Sequence, residues 1–452
     1  MLVVLGLTMV AAFMVVIMTK RATPIVALIA VPVTFGLLAG TGTGIGIGKM
    51  ITDGIKDLAP TAAMLFFAIV FFGIMIDVGL FDPVVRTVIR MVDHDPARLV
   101  IGTAVLAAVV SLDGDGSTTY IVTVSALLPL YLKLGVSPVV LTVVAGLANG
   151  TMNILPWGGP TARAAAALKI SPSEVFVPMI PSLIAGMFIV LVFAWHLGLM
   201  ERKRIGSIVV RERVLAGAGG GLEPAGRSVG DAFEGAADDS GAVSGEFARP
   251  KLLWFNAAVT VTLLAVLTMD ILPIPVLFMI AAAVALMVNF PQVAEQQAAI
   301  TRHSSSIVSV VGMVLAAAVL TGVFKGTGMV EAVATWVTGI IPESMGPHLG
   351  VITGVLSIPF TFLMSNDAFY FGVLPVLSET ASHYGISAAE MARASITGQT
   401  FHMQSPLVPA ILLLVALAGV GLADHHKKVL WRAAVVSLTM LVVGVALGQI
   451  PL

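Results

Sequence analysis

Apolar residues run in stretches long enough to cross a bilayer, and polar residues fall between them or, in four places, inside them. A membrane-spanning helix needs about 20 apolar residues. Segments 23–38 with its flanks, 176–197 and 429–447 reach that length. Read in order, the pattern predicts a helix over 1–19, a second running to a loop at 41–58, and a third over about 60–80. A segment carrying Arg86, Arg90 and Arg98 follows. Residues 99–132 are apolar but interrupted at 113–119 (Asp-Gly-Asp-Gly-Ser-Thr-Thr), and each arm is too short to span alone. They read as a re-entrant hairpin ending at Lys133. A span broken in its middle covers 138–168, and another span covers 174–198. Residues 200–251, rich in Gly, Ala, Ser and charge and without apolar periodicity, read as a flexible linker.

The second half repeats the plan. Spans fall near 252–268, 273–290 and 305–324, with an amphipathic stretch to about 346. A second hairpin (347–382), a second broken span (386–421) and a last span (429–449) follow. Thr19, Pro24, Gly73 and Gly79 recur as Thr268, Pro273, Gly322 and Gly328, each 249 positions on (79 to 328). Tyr120, Gly135, Ser137 and Pro156 recur as Tyr370, Gly385, Ser387 and Pro406, each 250 on (120 to 370). Each half crosses the membrane five times, an odd number, so the halves are inverted. The expected fold is an all-α polytopic membrane protein of two inverted repeats, each with five crossings, a re-entrant helical hairpin and a broken helix. Inverted repeats with discontinuous helices at matching positions place a substrate site near the bilayer midplane.

Basic residues set the orientation, because Lys and Arg favour cytoplasmic loops. With both termini outside and the linker cytoplasmic, 18 of the 24 Lys and Arg fall inside and 4 outside (Lys49, Lys56, Lys169, Lys325); Arg163 and Arg393 lie within the membrane. The pair Lys20-Arg21 follows the first apolar segment instead of preceding it, so 1–19 reads as a helix and not as a leader.

Composition narrows the function. The chain is 58% hydrophobic and 11% charged, against about 25% charged in a soluble domain. A net charge of −1 gives no electrostatic case for nucleic acid. The absence of cysteine removes disulfides, thiolate metal sites and cysteine nucleophiles. No His-Glu-x-x-His or Gly-x-Ser-x-Gly string suggests an enzyme, and no permanently bound cofactor is expected.

The four polar interruptions carry the candidate chemistry. They are 113–119, 149–153 (Asn-Gly-Thr-Met-Asn) running to Pro160, 365–367 (Ser-Asn-Asp), and 397–402 (Thr-Gly-Gln-Thr-Phe-His) running to Pro406. Unwound backbone at membrane depth is tolerated only where protein buries it or water lines it. Free helix N-termini suit carboxylates. Ser117, Thr118, Asn149, Gly150, Thr151, Asn153, Ser365, Asn366, Gln399 and Thr400 offer neutral ligands, and Arg163 a charged one. Asp113, Asp115, Asp367 and His402 are candidates for proton or metal binding, since a hard divalent cation wants oxygen and a buried acid or imidazole can titrate. Plainer roles stay open for each. Asp-Gly also makes tight turns, Asp367 could cap a helix arm, His402 could be a core histidine, and Arg393 suits a structural role.

The strings LDGDGSTTY (112–120), LANGTMNILPWGGPTARAA (147–165) and LMSNDAFYFGVLP (363–375) resemble those of the citrate–divalent metal:proton symporter family, within the ion transporter superfamily. The likeness extends over essentially the whole chain. It implies a cell-membrane carrier of citrate chelated to Mg²⁺ or Ca²⁺, driven by protons and working as a homodimer by an elevator motion. Residues 1–98 and 252–346 would then be scaffold, and 99–199 and 347–452 the moving transport domain. The segment Gly398-Gln399-Thr400 departs most from the superfamily pattern. Rival readings are a proton- or sodium-coupled carrier of another organic acid, such as gluconate or a dicarboxylate, and an ion channel.

Overall fold

A computed structural model of the chain describes every residue except 20, 41–43, 92–94, 115, 219–246, 270 and 343. The described residues contain helices and no strand. In the first half these are α1 (Leu2–Met18), α2 (Pro24–Leu38), α3 (Gly44–Asp77), α4 (Asp82–Met91), α5 (Pro96–Val110), α6 (Gly116–Lys133), α7 (Pro138–Met152), α8 (Gly159–Leu168), α9 (Pro172–Phe176) and α10 (Ile180–Ala218). The second half holds α11 (Leu253–Thr268), α12 (Ile274–Asn289), α13 (Val293–Arg302), α14 (Ser304–Gly326), α15 (Met329–Thr338), α16 (Leu349–Leu363), α17 (Leu374–Ser382), α18 (Ala388–Ile396), α19 (Gln399–His402), α20 (Pro409–Leu417) and α21 (Leu422–Ala446). Among the described residues seven helices are long and apolar enough to cross a membrane, and α2, α7 and α12 are shorter apolar helices. The protein is a multi-pass membrane protein.

Local chemistry sets the helix boundaries. Asp95 caps α5 by accepting from the Ala97 amide, with Pro96 at the first helical position. Ser387 and Glu390 form a capping box on α18. At the matching start of α7, Ser137 precedes Pro138 and its amide donates to the distant Glu201 carboxylate at 3.0 Å. The amide at this position is thus satisfied locally in one half and by α10 in the other. Chain reversals also recur. Gly79 and Gly328 have φ of 80° and 74°, and Gly135 and Gly385 have 68° and 79°. Glycine adopts this left-handed region without the clash a Cβ would bring. The third pair is Lys169, at 57°, and Gly419, at 62°.

Two sequence expectations are corrected. The loop expected at 41–58 is helical from Gly44, as the first turns of the 34-residue α3. Lys49, Asp53, Lys56 and Asp57 lie at helical spacing along one face, and Lys56 pairs with Asp53 at 3.6 Å, so charge marks an amphipathic helix here. Within the linker expected over 200–251, α10 continues to Ala218, and Pro250–Leu252 form a 3₁₀ turn. Residues 219–246 of that linker lie outside the described residues, as does Asp115.

Helix α3 packs along α14, with α12 against α3 and α2 against α14. The two crossings of α3 with the α13–α14 region differ. At one, a Cβ on Gly54 would lie 2.2 Å from the Ala318 carbonyl oxygen, and one on Gly322 would lie 2.4 Å from that of Met50, so backbone meets backbone. At the other, Gly73 faces the ring of His303, which a Cβ would approach to 2.6 Å. His303 stands 249 positions after Gly54, and Gly322 the same distance after Gly73. Positions 249 residues apart therefore meet at both crossings, with an imidazole in place of one glycine.

Candidate functional site

Each hairpin bends at its polar string. In the first, α5 ends in a single 3₁₀ turn, Ser111–Asp113, followed by Gly114 at φ 79°. A side chain at Gly114 would press on Trp157, whose indole N–H donates to the Leu112 carbonyl at 2.8 Å. The break after α7 is thereby tied to the first tip. The arms of that hairpin are joined by Tyr131 and Thr103, whose hydroxyls lie 2.8 Å apart. In the second hairpin, α16 stops at Met364, which is extended (φ −124°, ψ 166°). Ser365 Oγ accepts from the Ala368 amide at 3.2 Å, and residues Ala368–Val373 are π-helical. Such wide turns recur at functional sites because they re-aim a helix face. Here the turn directly follows Asp367, whose Oδ1 accepts from Arg163 Nε at 2.6 Å, across from one half to the other.

Tips and breaks enclose a cavity of about 600 Å³, a size suited to a small ligand. Asp113, Ser117, Thr118, Asn153, Arg163, Ser365, Asn366, Asp367 and His402 line it. The remaining described candidates form the packing behind it. Asn149 donates to Ser111 Oγ at 3.0 Å, which steadies the first tip. Thr151 and Thr400 meet at 3.2 Å between the two broken spans, and Gly150 lies against the Thr400 backbone so closely that a Cβ would come to 3.0 Å. Gln399 donates to the Tyr370 hydroxyl at 2.8 Å. His402 Nδ1 contacts the Thr361 carbonyl, so this ring is both anchored and on the cavity wall. Arg393 donates to the Glu174 carbonyl at 3.0 and 2.9 Å, holding the second broken span to α9, away from the cavity.

The opposite wall comes from α3 and α14. It contributes Phe72 and Ile76 from the first and Ser305, Ser306 and Ser309 from the second, with His303 immediately before it. Sequence reasoning missed these polar groups, although three consecutive serines opening an apolar span were a visible signal. Trp157, also missed, stacks on Phe72 with centroids 5.1 Å apart and meets Phe278 edge-on, so it wedges the first break against α3 and α12. Among the described residues no three His, Asp or Glu side chains converge as a metal site. The arrangement can bind an oxygen-rich anion through hydroxyls, amides and one guanidinium, with carboxylates placed to take a proton or approach a cation.

The family model described as citrate transporter matches residues 7–398. A Bacillus subtilis protein named citrate transporter is 48% identical over 450 residues, covering 100% of both chains. A second from the same organism, named Mg²⁺/citrate complex secondary transporter, is 46% identical over 100% of this chain and 99% of its own. Among solved structures, the Alcanivorax borkumensis YdaH transporter superposes with a TM-score of 0.52 at 13% identity, covering 88% of each chain. The Neisseria gonorrhoeae transporter MtrF gives 0.56 at 15% identity, covering 89% of this chain and 83% of its own. At those identities the likeness speaks for the fold alone.

Proposed function

The chain belongs to the citrate transporter family, and from that premise we propose that it carries citrate as a complex with a divalent metal ion of the Mg²⁺ or Ca²⁺ class, in symport with protons. It is a secondary transporter and not an enzyme. The observation that carries the finer reading is the cavity between the two hairpin tips, where hydroxyls and amides, the carboxylates Asp113 and Asp367, and Arg163 face one space. A bare trianion would be repelled by the Asp113 carboxylate, and by that of Asp367 whenever it is ionised. Citrate that has already chelated a cation brings compensating positive charge with most of the metal's oxygen ligands in place. The relative named for the Mg²⁺/citrate complex supports the same choice.

The Arg163–Asp367 pair offers a route for proton coupling. Asp367 holds the guanidinium while ionised. When Asp367 takes a proton, the pair weakens and Arg163 is released to donate to a citrate carboxylate. Substrate and proton then enter together, and both leave when Asp367 deprotonates and reclaims Arg163.

Both tips and both broken spans belong to 99–199 and 347–452, which form the moving domain in this proposal; 1–98 and 252–346 form a fixed scaffold in a homodimer. The linker is cytoplasmic and both termini lie outside. Under that orientation the α3 and α14 residues on the cavity wall sit toward the cytoplasm, and the 2.5 Å ion pair of Lys169 with Asp57 lies toward the exterior.

The test is uptake of labelled citrate into proteoliposomes under an inward proton gradient, without sodium, with Mg²⁺, Ca²⁺ or excess chelator outside. Uptake requiring both metal and gradient is expected. Uptake undiminished by chelator would mean that free citrate is carried.

A further inference from the structure

On the wall facing the hairpin tips, α3 presents apolar side chains and α14, with His303 immediately before it, the polar ones. One of these polar groups is held from several directions. His303 Nε2 lies 3.1 Å from Asp77 Oδ2, and Arg302 Nη1 donates to the same oxygen at 2.6 Å. The guanidinium of Arg302 is in turn stacked 3.8 Å over the Phe247 ring, beyond the linker. The face of the imidazole lies on Gly73, where any side chain would expel it. A carboxylate only accepts, so the Asp77 contact places a proton on Nε2. That leaves Nδ1 as the ring's other polar atom. It caps no helix turn and has no hydrogen-bond partner among the described residues, while the ring lines the cavity.

A wedge between helices would need bulk alone. A ring fixed in orientation by a carboxylate that is itself fixed by an arginine is the arrangement used to aim an imidazole nitrogen at a ligand. The geometry points to His303 as a scaffold-side contact of the transported complex, its Nδ1 hydrogen-bonded to a citrate oxygen, with Asp77 as the positioning residue. This rests on the cavity being the place where the metal–citrate complex binds. As the neutral ring, Nδ1 accepts from the citrate hydroxyl; as imidazolium it donates to a carboxylate. The contact is new to the site because every candidate ligand named from the sequence lies on the hairpins or broken spans.

Two substitutions separate a substrate contact from a structural one, because the Gln amide reaches the position of Nε2 and the Asn amide that of Nδ1. Purified protein is titrated calorimetrically with Mg²⁺–citrate, and its thermal unfolding is followed in parallel. His303→Gln should keep the bond to Asp77, and hence thermal stability, yet weaken binding by about tenfold, as loss of one hydrogen bond to a charged ligand implies. His303→Asn should lose stability yet hold its Kd to within about threefold, because one side of the contact survives. The assignment is overturned if His303→Gln binds like the parent, or if His303→Asn loses stability and affinity together. Asn366→Ala, at the second tip, is the control for the underlying reading. If it leaves binding unchanged, the cavity is not the substrate site. If it weakens binding while His303→Gln does not, only the assignment of His303 falls.

Discussion

Replacing Asp367 by Asn removes the charged partner of Arg163 while keeping the size and shape of the side chain. The ion pair is 2.6 Å long, and its side chains are 9% and 21% exposed. It is thus neither a solvated surface pair nor one sealed from the water of the cavity. A hydrogen bond to a charged group contributes about 1.5–3 kcal/mol net, which is about 10- to 150-fold in the balance between paired and released guanidinium. Where a citrate carboxylate must displace Asp367 from Arg163, the parent protein bears that penalty and the Asn variant does not. Asp367→Asn should therefore bind Mg²⁺–citrate at least about tenfold more tightly at neutral pH. With no carboxyl group to take the proton, it should lose accumulation driven by a proton gradient but retain citrate–citrate exchange. Titration calorimetry on purified protein gives the first quantity. Proteoliposomes preloaded with unlabelled citrate, compared with empty ones under a pH gradient, give the second. Arg163→Gln should abolish the gain. Weaker binding in Asp367→Asn, or gradient-driven accumulation equal to the parent's, would refute the exchange of partners on which the coupling scheme depends.

Other consequences are more local. Asp113→Asn should impair metal–citrate uptake far more than the yield of folded protein; normal uptake would take the first tip out of the mechanism. Gly322→Ala forces α3 and α14 apart where a Cβ would sit 2.4 Å from the Met50 carbonyl. It should lower stability by about 1–3 kcal/mol, the usual range for overpacking, with the affinity for citrate unchanged; a melting temperature equal to the parent's would show that the crossing is looser than described. Asp82, at the start of α4, has its pKa raised above the usual carboxylate value by burial, against an opposing pull from Arg86. A raised folded-state pKa gives stability that is present in acid and lost as the pH rises through it. Asp82→Asn should therefore be more stable relative to the parent at pH 7 than at pH 4, and an advantage constant across that range would contradict the assignment.

The breaks in the helices were legible because each needs residues that stop a helix and satisfy its ends. Within the broken span expected over 138–168, helix starts at Pro138 and again at Gly159, and within the hairpin expected over 347–382, helix stops just before Ser365-Asn366. What the sequence could not distinguish was a polar residue facing water from one facing another helix. Asn149, Thr151, Gln399 and Thr400 belong to the same polar strings as Asn153 and His402, but they hydrogen-bond behind the cavity. Periodicity within one helix does not reveal which face meets which neighbour. His303 and its serines were missed for the converse reason: they open a span whose partner wall is assembled from the other half of the chain. The segment 41–58 was misread because glycines and charges suggested a loop, whereas their spacing suited a helix lying along a surface.

Lys169 is the one described residue other than glycine with a left-handed backbone, a conformation that costs an L-residue about 1–2 kcal/mol. Its counterpart, Gly419, escapes that cost but carries no charge. What the strained lysine gains is the 2.5 Å pair with Asp57, whose side chain is 43% exposed. Mobile ions screen an attraction between partly solvated charges, whereas the glycine-to-glycine crossing nearby is indifferent to them. With Lys169 on the proposed moving domain and Asp57 on the proposed scaffold, external ionic strength would act as a clock for the carrier: salt should shorten the lifetime of the state described here and quicken citrate exchange, without altering how tightly the cargo is held.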